Sequence, residues 1–140
     1  MTGAAGNDSP QTLDQRRAKH AWEAVQRAKG SGGSHSRDYG GEARKLPMRI
    51  MAAGLGHALA FIVAKTKNKP GLEQLHKDLT DWVITERGLK SGLNTSLIDS
   101  IVHGDADFLR LAMGETLAYL QWLNRFAEAE GLTEDAEQGD

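Results

Sequence analysis

The sequence predicts an all-α fold: a single-domain compact bundle of about six helices around a long, mostly buried C-terminal helix. Three observations carry this. No stretch alternates apolar and polar residues with period two over a strand's length. Apolar residues recur instead at helical spacing, in segments punctuated by Gly, Pro and capping residues. In the strongest segment, 105–130, Phe108, Leu109, Leu111, Ala112, Ala118, Tyr119, Leu120, Trp122, Leu123, Phe126 and Ala127 fall around most of the helical circumference, so that this helix should be nearly surrounded by protein. Its one polar stripe is Arg110, Gly114, Gln121, Arg125 and Glu128.

Taken in order, residues 1–9 are small and polar and are expected to be a disordered tail. The bundle spans 10–130 and opens on a helix started either by Ser9-Pro10 or by the capping-box pattern Thr12-x-x-Gln15. Leu13, Ala21, Trp22, Ala24, Val25 and Ala28 share one half of its wheel, and Arg16, His20, Glu23 and Arg27 the other; Arg17 falls inside the apolar half. Gly30 to Ser34 reads as a flexible loop. A second helix starts between Arg37 and Gly41 and should kink or restart at Pro47. Gly54 ends or bends it, and Leu55, Leu59, Ile62 and Val63 mark a third, closing in Lys65, Lys67 and Lys69. Pro70 starts a fourth that buries Leu72, Leu75, Leu79, Trp82 and Val83 up to Gly88. A short helix from Asn94 or Thr95 ends at Gly104, and Asp105 caps the long helix. From Gly131 an acidic tail, 131–140, should fray.

At 140 residues the chain can bury roughly 68–70% of its unfolded surface without staples. The absence of cysteine removes disulfides, thiolate metal sites and thiol nucleophiles. No apolar stretch approaches the ~18 residues of a bilayer span and no signal-peptide core is present, so the reading is a soluble cytoplasmic protein without membrane partners. The net charge of −2 hides a division, since residues 16–69 carry +9 and residues 70–140 carry −9. Such asymmetry points to a polyanion partner or to head-to-tail assembly.

Little supports an enzyme. The five histidines, His20, His35, His57, His76 and His103, lie on separate segments with no HxxxH or HExxH pair. No GxSxG, SxxK or paired-carboxylate arrangement occurs, and neither a cofactor nor a metal is expected. Glu115 lies among Phe108, Leu111, Trp122 and Phe126 on the wheel, where an unpaired carboxylate would cost several kcal/mol. Arg17, equally out of place, is its expected structural partner, with Arg49 as runner-up. The remaining lead is basic: Arg16, Lys19 and Arg27 on one stripe, Arg44, Lys45 and Arg49 around Pro47, and Arg125. Such cations neutralise phosphates without reading sequence, and with exposed aromatics scarce a backbone-reading mode fits best.

Three segments, 13–25, 42–65 and 105–129, resemble the small α-helical subunit of the type III-B CRISPR effector, the Cmr ribonucleoprotein complex. The likeness rests on Gln15-Arg16-Arg17, on Lys45-x-Pro47 followed by Gly54-Leu55 and Leu59-Ala60-Phe61, and on Glu115 leading into Leu120-x-Trp122-Leu123-x-Arg125-Phe126-Ala127. Residues 66–104 match only as amphipathic helices. The resemblance implies a non-catalytic subunit that stacks in several copies beside the backbone subunits of the complex, with basic surface toward guide RNA and target RNA. Arg16, Arg17, Lys45 and Arg125 are its matched basic positions and Glu115 a matched acid; Asn124 and Gly114 stand where basic residues are expected. The expected RNA-contacting set is therefore Arg16, Arg17, Lys19, Lys45, Arg49 and Arg125, and the expected partners are guide and target RNA, backbone subunits and further copies of the chain. A helical protein-interaction module without nucleic-acid contact is the alternative.

Overall fold

The computed structural model describes residues 9–89 and 96–133. Every regular element among them is helical: α1 (Leu13–Ser31), α2 (Gly33–Ala53), α3 (Leu55–Ala64), α4 (Pro70–Thr80), a π-helical segment (Asp81–Glu86), α5 (Leu97–His103) and α6 (Ala106–Ala129). The all-α class and the six α-helices agree with the sequence.

Local signals set most helix ends. The Thr12 hydroxyl accepts from the Gln15 amide at 3.0 Å while the Gln15 side chain accepts from the Thr12 amide at 2.8 Å, so the capping box, not Ser9-Pro10, opens α1. Asp105 accepts from the Phe108 amide at 2.8 Å and Ser96 from the Asp99 amide at 3.1 Å, capping α6 and α5. Asn94 and Thr95, expected to start α5, lie outside the described residues. Pro70 occupies the first turn of α4, where its missing N–H is no loss.

Three expectations about α1 to α4 are corrected. The Gly30 to Ser34 loop shrinks to one linking residue, because Gly32 at φ 67° lets α2 begin at Gly33 directly after α1 ends. α2 runs unbroken through Pro47, with Ala43, Leu46 and Ile50 buried on either side; this apolar contact offsets the roughly 3 kcal/mol of an interior proline. The helix expected to reach Gly88 is wound more widely over its last six residues, and the Arg87 amide reaches back five residues to the Trp82 carbonyl at 2.8 Å.

α6 packs along α1 and α2 rather than inside a ring of helices. Phe108, Ala112, Glu115, Thr116, Tyr119, Leu120, Leu123 and Ala127 are buried, whereas Leu109 is 40% and Leu111 53% exposed. The helix is thus amphipathic, with Leu111 on the open side and the stripe Arg110, Gly114, Gln121, Arg125 and Glu128 at the surface. Trp22 also leaves the expected core for its rim, 43% exposed and edge-on to Phe126 at 5.1 Å.

The chain beyond α6 does not fray at once. Gly131, at φ 79°, donates to the Glu128 carbonyl at 3.1 Å and Leu132 to the Ala127 carbonyl at 2.9 Å, which closes the helix with a Schellman turn. Leu132 and Thr133 are buried, and a side chain at Gly40 would stand 2.7 Å from the Leu132 Cβ, so α2 is indented to receive this hook. Residues 1–8 and 134–140, the remainder of the two expected tails, lie outside the described residues.

Candidate nucleic-acid interface

The long ion pair is the frame on which the surface cations hang. Arg17 projects from α1 toward α6 and donates through Nε to Glu115 Oε2 at 2.6 Å and through a terminal nitrogen to Oε1 at 3.0 Å. The same carboxylate accepts from Arg87 Nε at 2.8 Å and from the Trp82 indole N–H at 2.8 Å. Burial alone, the largest single influence, would raise the Glu115 carboxyl; the hydrogen bonds from Arg17, Arg87 and Trp82 outweigh it and hold the group down at about 2. Arg17 also meets Asp14 at 3.1 Å, and Asp14 accepts from the Trp122 indole at 3.0 Å. Arg87 and Trp82 were not legible as partners, because the wider turns of the π-helical segment that aim them carry no period in the sequence.

A second set of polar groups ties α1 to its neighbours. His20, expected on an exposed stripe, is half-buried: Nδ1 lies 2.6 Å from the Tyr119 hydroxyl and Nε2 2.7 Å from Asp81, with Trp82 and Tyr119 ring centroids at 5.4 and 5.3 Å. Deeper, Asp78 accepts from the Tyr39 hydroxyl at 2.8 Å, from Gln74 at 3.0 Å and from Arg27 at 3.1 Å, joining α1, α2 and α4. Burial pushes the Tyr39 and Tyr119 hydroxyls up, so both stay protonated at neutral pH.

Against this frame the six expected RNA-contacting residues divide. Arg17 is spent on Glu115 and Asp14. Arg49 is spent on Glu42 of its own helix, 2.9 Å away, and on α3, where its guanidinium lies 3.9 Å from the Phe61 ring centre. That ion pair meets the distance for attraction but not the alignment of a hydrogen bond. It also removes Arg49 as a partner for Glu115. Buried carboxylates, Glu115 and Glu42, took these two arginines out of the exposed basic set.

The other four are exposed and fall in different places. Arg16 and Lys19 line a cleft of about 960 Å³ between α1 and the π-helical segment, where Arg27 contributes a third cation and Glu23, Asp81 and Glu86 three acids. Arg16 lies 5.9 Å over the Trp82 ring and 3.3 Å from the Glu86 carbonyl, which orients it across the cleft mouth. Arg125 lines a second groove, about 620 Å³, with Arg44, Gln121, Trp122, Asn124, Glu128, Asp14 and Thr133. The first turn of α1 stands between the two, Gln15 facing the cleft and Asp14 the groove. Lys45 is exposed on α2, next to Arg44.

Among the described residues no group of three or more His, Asp or Glu side chains is placed to hold a metal ion, and no helix is long and apolar enough to cross a membrane. His76 is partly buried, and burial pushes its imidazole down.

Known proteins match this arrangement over nearly the whole described chain. The family model described as CRISPR-associated protein (Cas_Cmr5) matches residues 13–130, from the first residue of α1 to the end of α6. The CRISPR system Cmr subunit Cmr5 of Thermus thermophilus is 34% identical over 113 residues, covering 80% of this chain and 90% of that protein. The X-ray crystal structure of a CRISPR-associated Cmr5 family protein, also from Thermus thermophilus, superposes with a TM-score of 0.67 at 29% identity, covering 85% of this chain and 97% of that one. With the family's pattern spanning both helices that hold the Arg17 and Glu115 frame, this chain belongs to the CRISPR-associated Cmr5 family.

Proposed function

We propose that the protein is the non-catalytic small subunit of a type III-B CRISPR effector, stacking in several copies beside the backbone subunits and touching the phosphate backbone of guide and target RNA. Family membership supports the place in the complex. The RNA contact rests on one observation: with Arg17 and Arg49 committed to buried carboxylates, Arg16, Lys19, Lys45 and Arg125 remain exposed, and the Arg17–Glu115 pair ties α1, which carries Arg16 and Lys19, to α6, which carries Arg125. Cations held this way neutralise phosphates wherever the chain passes, and base pairing in the guide supplies the sequence specificity. Charge of opposite sign in the two halves of the chain suits head-to-tail stacking, in which the +9 portion of one copy meets the −9 portion of the next.

Filter binding of single-stranded and guide–target duplex RNA across a salt series, with the protein alone and with the backbone subunit, tests the contact. A logarithmic salt slope that falls by about one for each of Arg16, Lys19 and Arg125 replaced by alanine is the expected result. No binding at low salt in either setting refutes it.

A second reading has its own support. The cleft beside Arg16 holds as many acids as cations, and Met48 and Met51 are 77% and 75% exposed on α2, as on a protein-docking face. Tight partner binding that survives charge reversal at Arg16, Lys45 and Arg125, from a purified complex containing no RNA, favours that module.

A further inference from the structure

We propose that the groove lined by α6 beside the first turn of α1 binds a guanine nucleotide, an unpaired one in the RNA strand, with its base against Trp122, its N1–H and N2–H edge on Glu128 and its phosphate on Arg125. That the nucleotide belongs to RNA rests on the reading above; the site itself does not.

The first observation is an aromatic surface that the fold assembles from two helices. Phe126 is edge-on to Trp22 at 5.1 Å and stacked on Trp122 at 5.6 Å, with the latter two ring planes 29° apart. Trp122 is therefore packed on Phe126 and also lines the groove. Its indole N–H donates to Asp14 at 3.0 Å, and Asp14 is held by Arg17 at 3.1 Å, so the orientation of the ring is set by the same frame that ties α1 to α6. A fixed indole in a groove of about 620 Å³, inside the range of roughly 300–1,000 Å³ found for small-molecule sites, is a stacking platform for a base.

The second observation is the polar lining, which selects the base. Gln121, Asn124, Arg125 and Glu128 follow one another at spacings of three and four residues along the groove face of α6. Asp14 is already neutralised by Arg17, which leaves Glu128 as the acid that can meet a ligand. Glu128 and Arg125 are exposed three residues apart, yet neither side chain makes a hydrogen bond or ion pair among the described residues. A groove serving phosphate alone gains nothing from a carboxylate. A base edge does: of the four RNA bases only guanine offers two adjacent donors, N1–H and the exocyclic amine, and one carboxylate accepts both. Asn124 Oδ1, buried without a partner among the described residues, is a second unmet acceptor in the same wall. Arg125 then supplies the charge for the phosphate.

The test titrates the full chain at about 50 mM salt with uridine hexamers carrying a central guanosine, a central adenosine or neither, and with guanosine monophosphate, while the tryptophan indole N–H resonances are followed. The guanosine hexamer should bind about 5–100-fold more tightly than the other two. The part of the shift that depends on guanosine should fall on Trp122 rather than on Trp82, which lines the cleft across the first turn of α1. Trp122→Ala should weaken binding of the guanosine hexamer about 5–150-fold. Glu128→Ala, at an exposed position that leaves the fold intact, should abolish the preference for guanosine while binding of the uridine hexamer persists. Equal affinity for the three hexamers, or a preference that survives Glu128→Ala, overturns the base site and leaves the RNA-contact reading in place. If no hexamer binds, the RNA-contact reading falls; a shift of Trp122 by guanosine monophosphate then assigns the site to a free nucleotide, and its absence overturns the site as well.

Discussion

Arg17 and Glu115, 98 residues apart in the chain, meet at 2.6 Å across the contact of α1 with α6, and Arg87 closes on the other carboxylate oxygen at 2.8 Å. One buried acid thus joins the first helix, the last helix and the end of the π-helical segment. The arrangement fixes the turn of α1 that carries Arg16 and Lys19, so the stability of the fold and the geometry of its exposed cations depend on the same carboxylate.

Glu115→Ala should therefore destabilise strongly, because it leaves Arg17, Arg87 and the Trp82 indole without their shared acceptor. We expect a loss of about 3 kcal/mol, or a fall in Tm of roughly 10 °C, in thermal unfolding. Arg17→Ala should cost less, since Arg87 and Trp82 still serve the carboxylate. An unchanged Tm in Glu115→Ala would show that the clamp contributes nothing.

The same group predicts a pH dependence. Its folded value, about 2, lies below the ordinary value of 4.5, so the unfolded state binds the proton more readily. The contribution is complete above about 4.5 and is lost as pH falls toward 2; a shift of this size corresponds to about 3 kcal/mol. Denaturant titrations of the parent and Glu115→Gln should therefore differ most at neutral pH and converge between pH 4.5 and 2. A constant difference across that range would contradict the assignment.

Gly71 is where α4 comes closest to α2: an added Cβ would stand 2.3 Å from the His35 carbonyl oxygen and 2.9 Å from the Tyr39 amide nitrogen. Both obstacles are backbone and cannot swing aside. Gly71→Ala should cost about 1–3 kcal/mol in chemical denaturation. Gly114→Ala serves as control, since nothing lies within 4 Å of its added Cβ and alanine favours the helix. Equal stability of the two variants would refute the close approach.

The division of the basic residues gives a further test. Arg16→Ala and Lys19→Ala should lower the salt slope of RNA binding by about one each with Tm nearly unchanged. Arg49→Ala should do the reverse, because its guanidinium is held by Glu42 and Phe61. A full unit of salt slope lost in Arg49→Ala would place that residue back at the interface.

What the sequence determined by itself is local. The capping box at Thr12, the cap at Asp105, Pro70 in a first turn and apolar spacing at the helical period act within about four residues, and the structure keeps all of them. They suffice for an all-α chain and for most of its helix ends. Even the misfit of Arg17 and Glu115 in apolar faces was readable, because a buried charge needs a partner whatever the fold. Only the tertiary structure decided how the remaining charges were spent. Arg49 found Glu42, Arg87 joined Glu115, and His20 came to lie between Tyr119 and Asp81. It also opened one side of α6 at Leu111 and hooked Leu132 onto Gly40, since a helical wheel gives the angle of a side chain but not which neighbour covers it. An arginine in sequence is a positive charge; whether it faces RNA or a buried carboxylate depends on a residue that can lie nearly a hundred positions away.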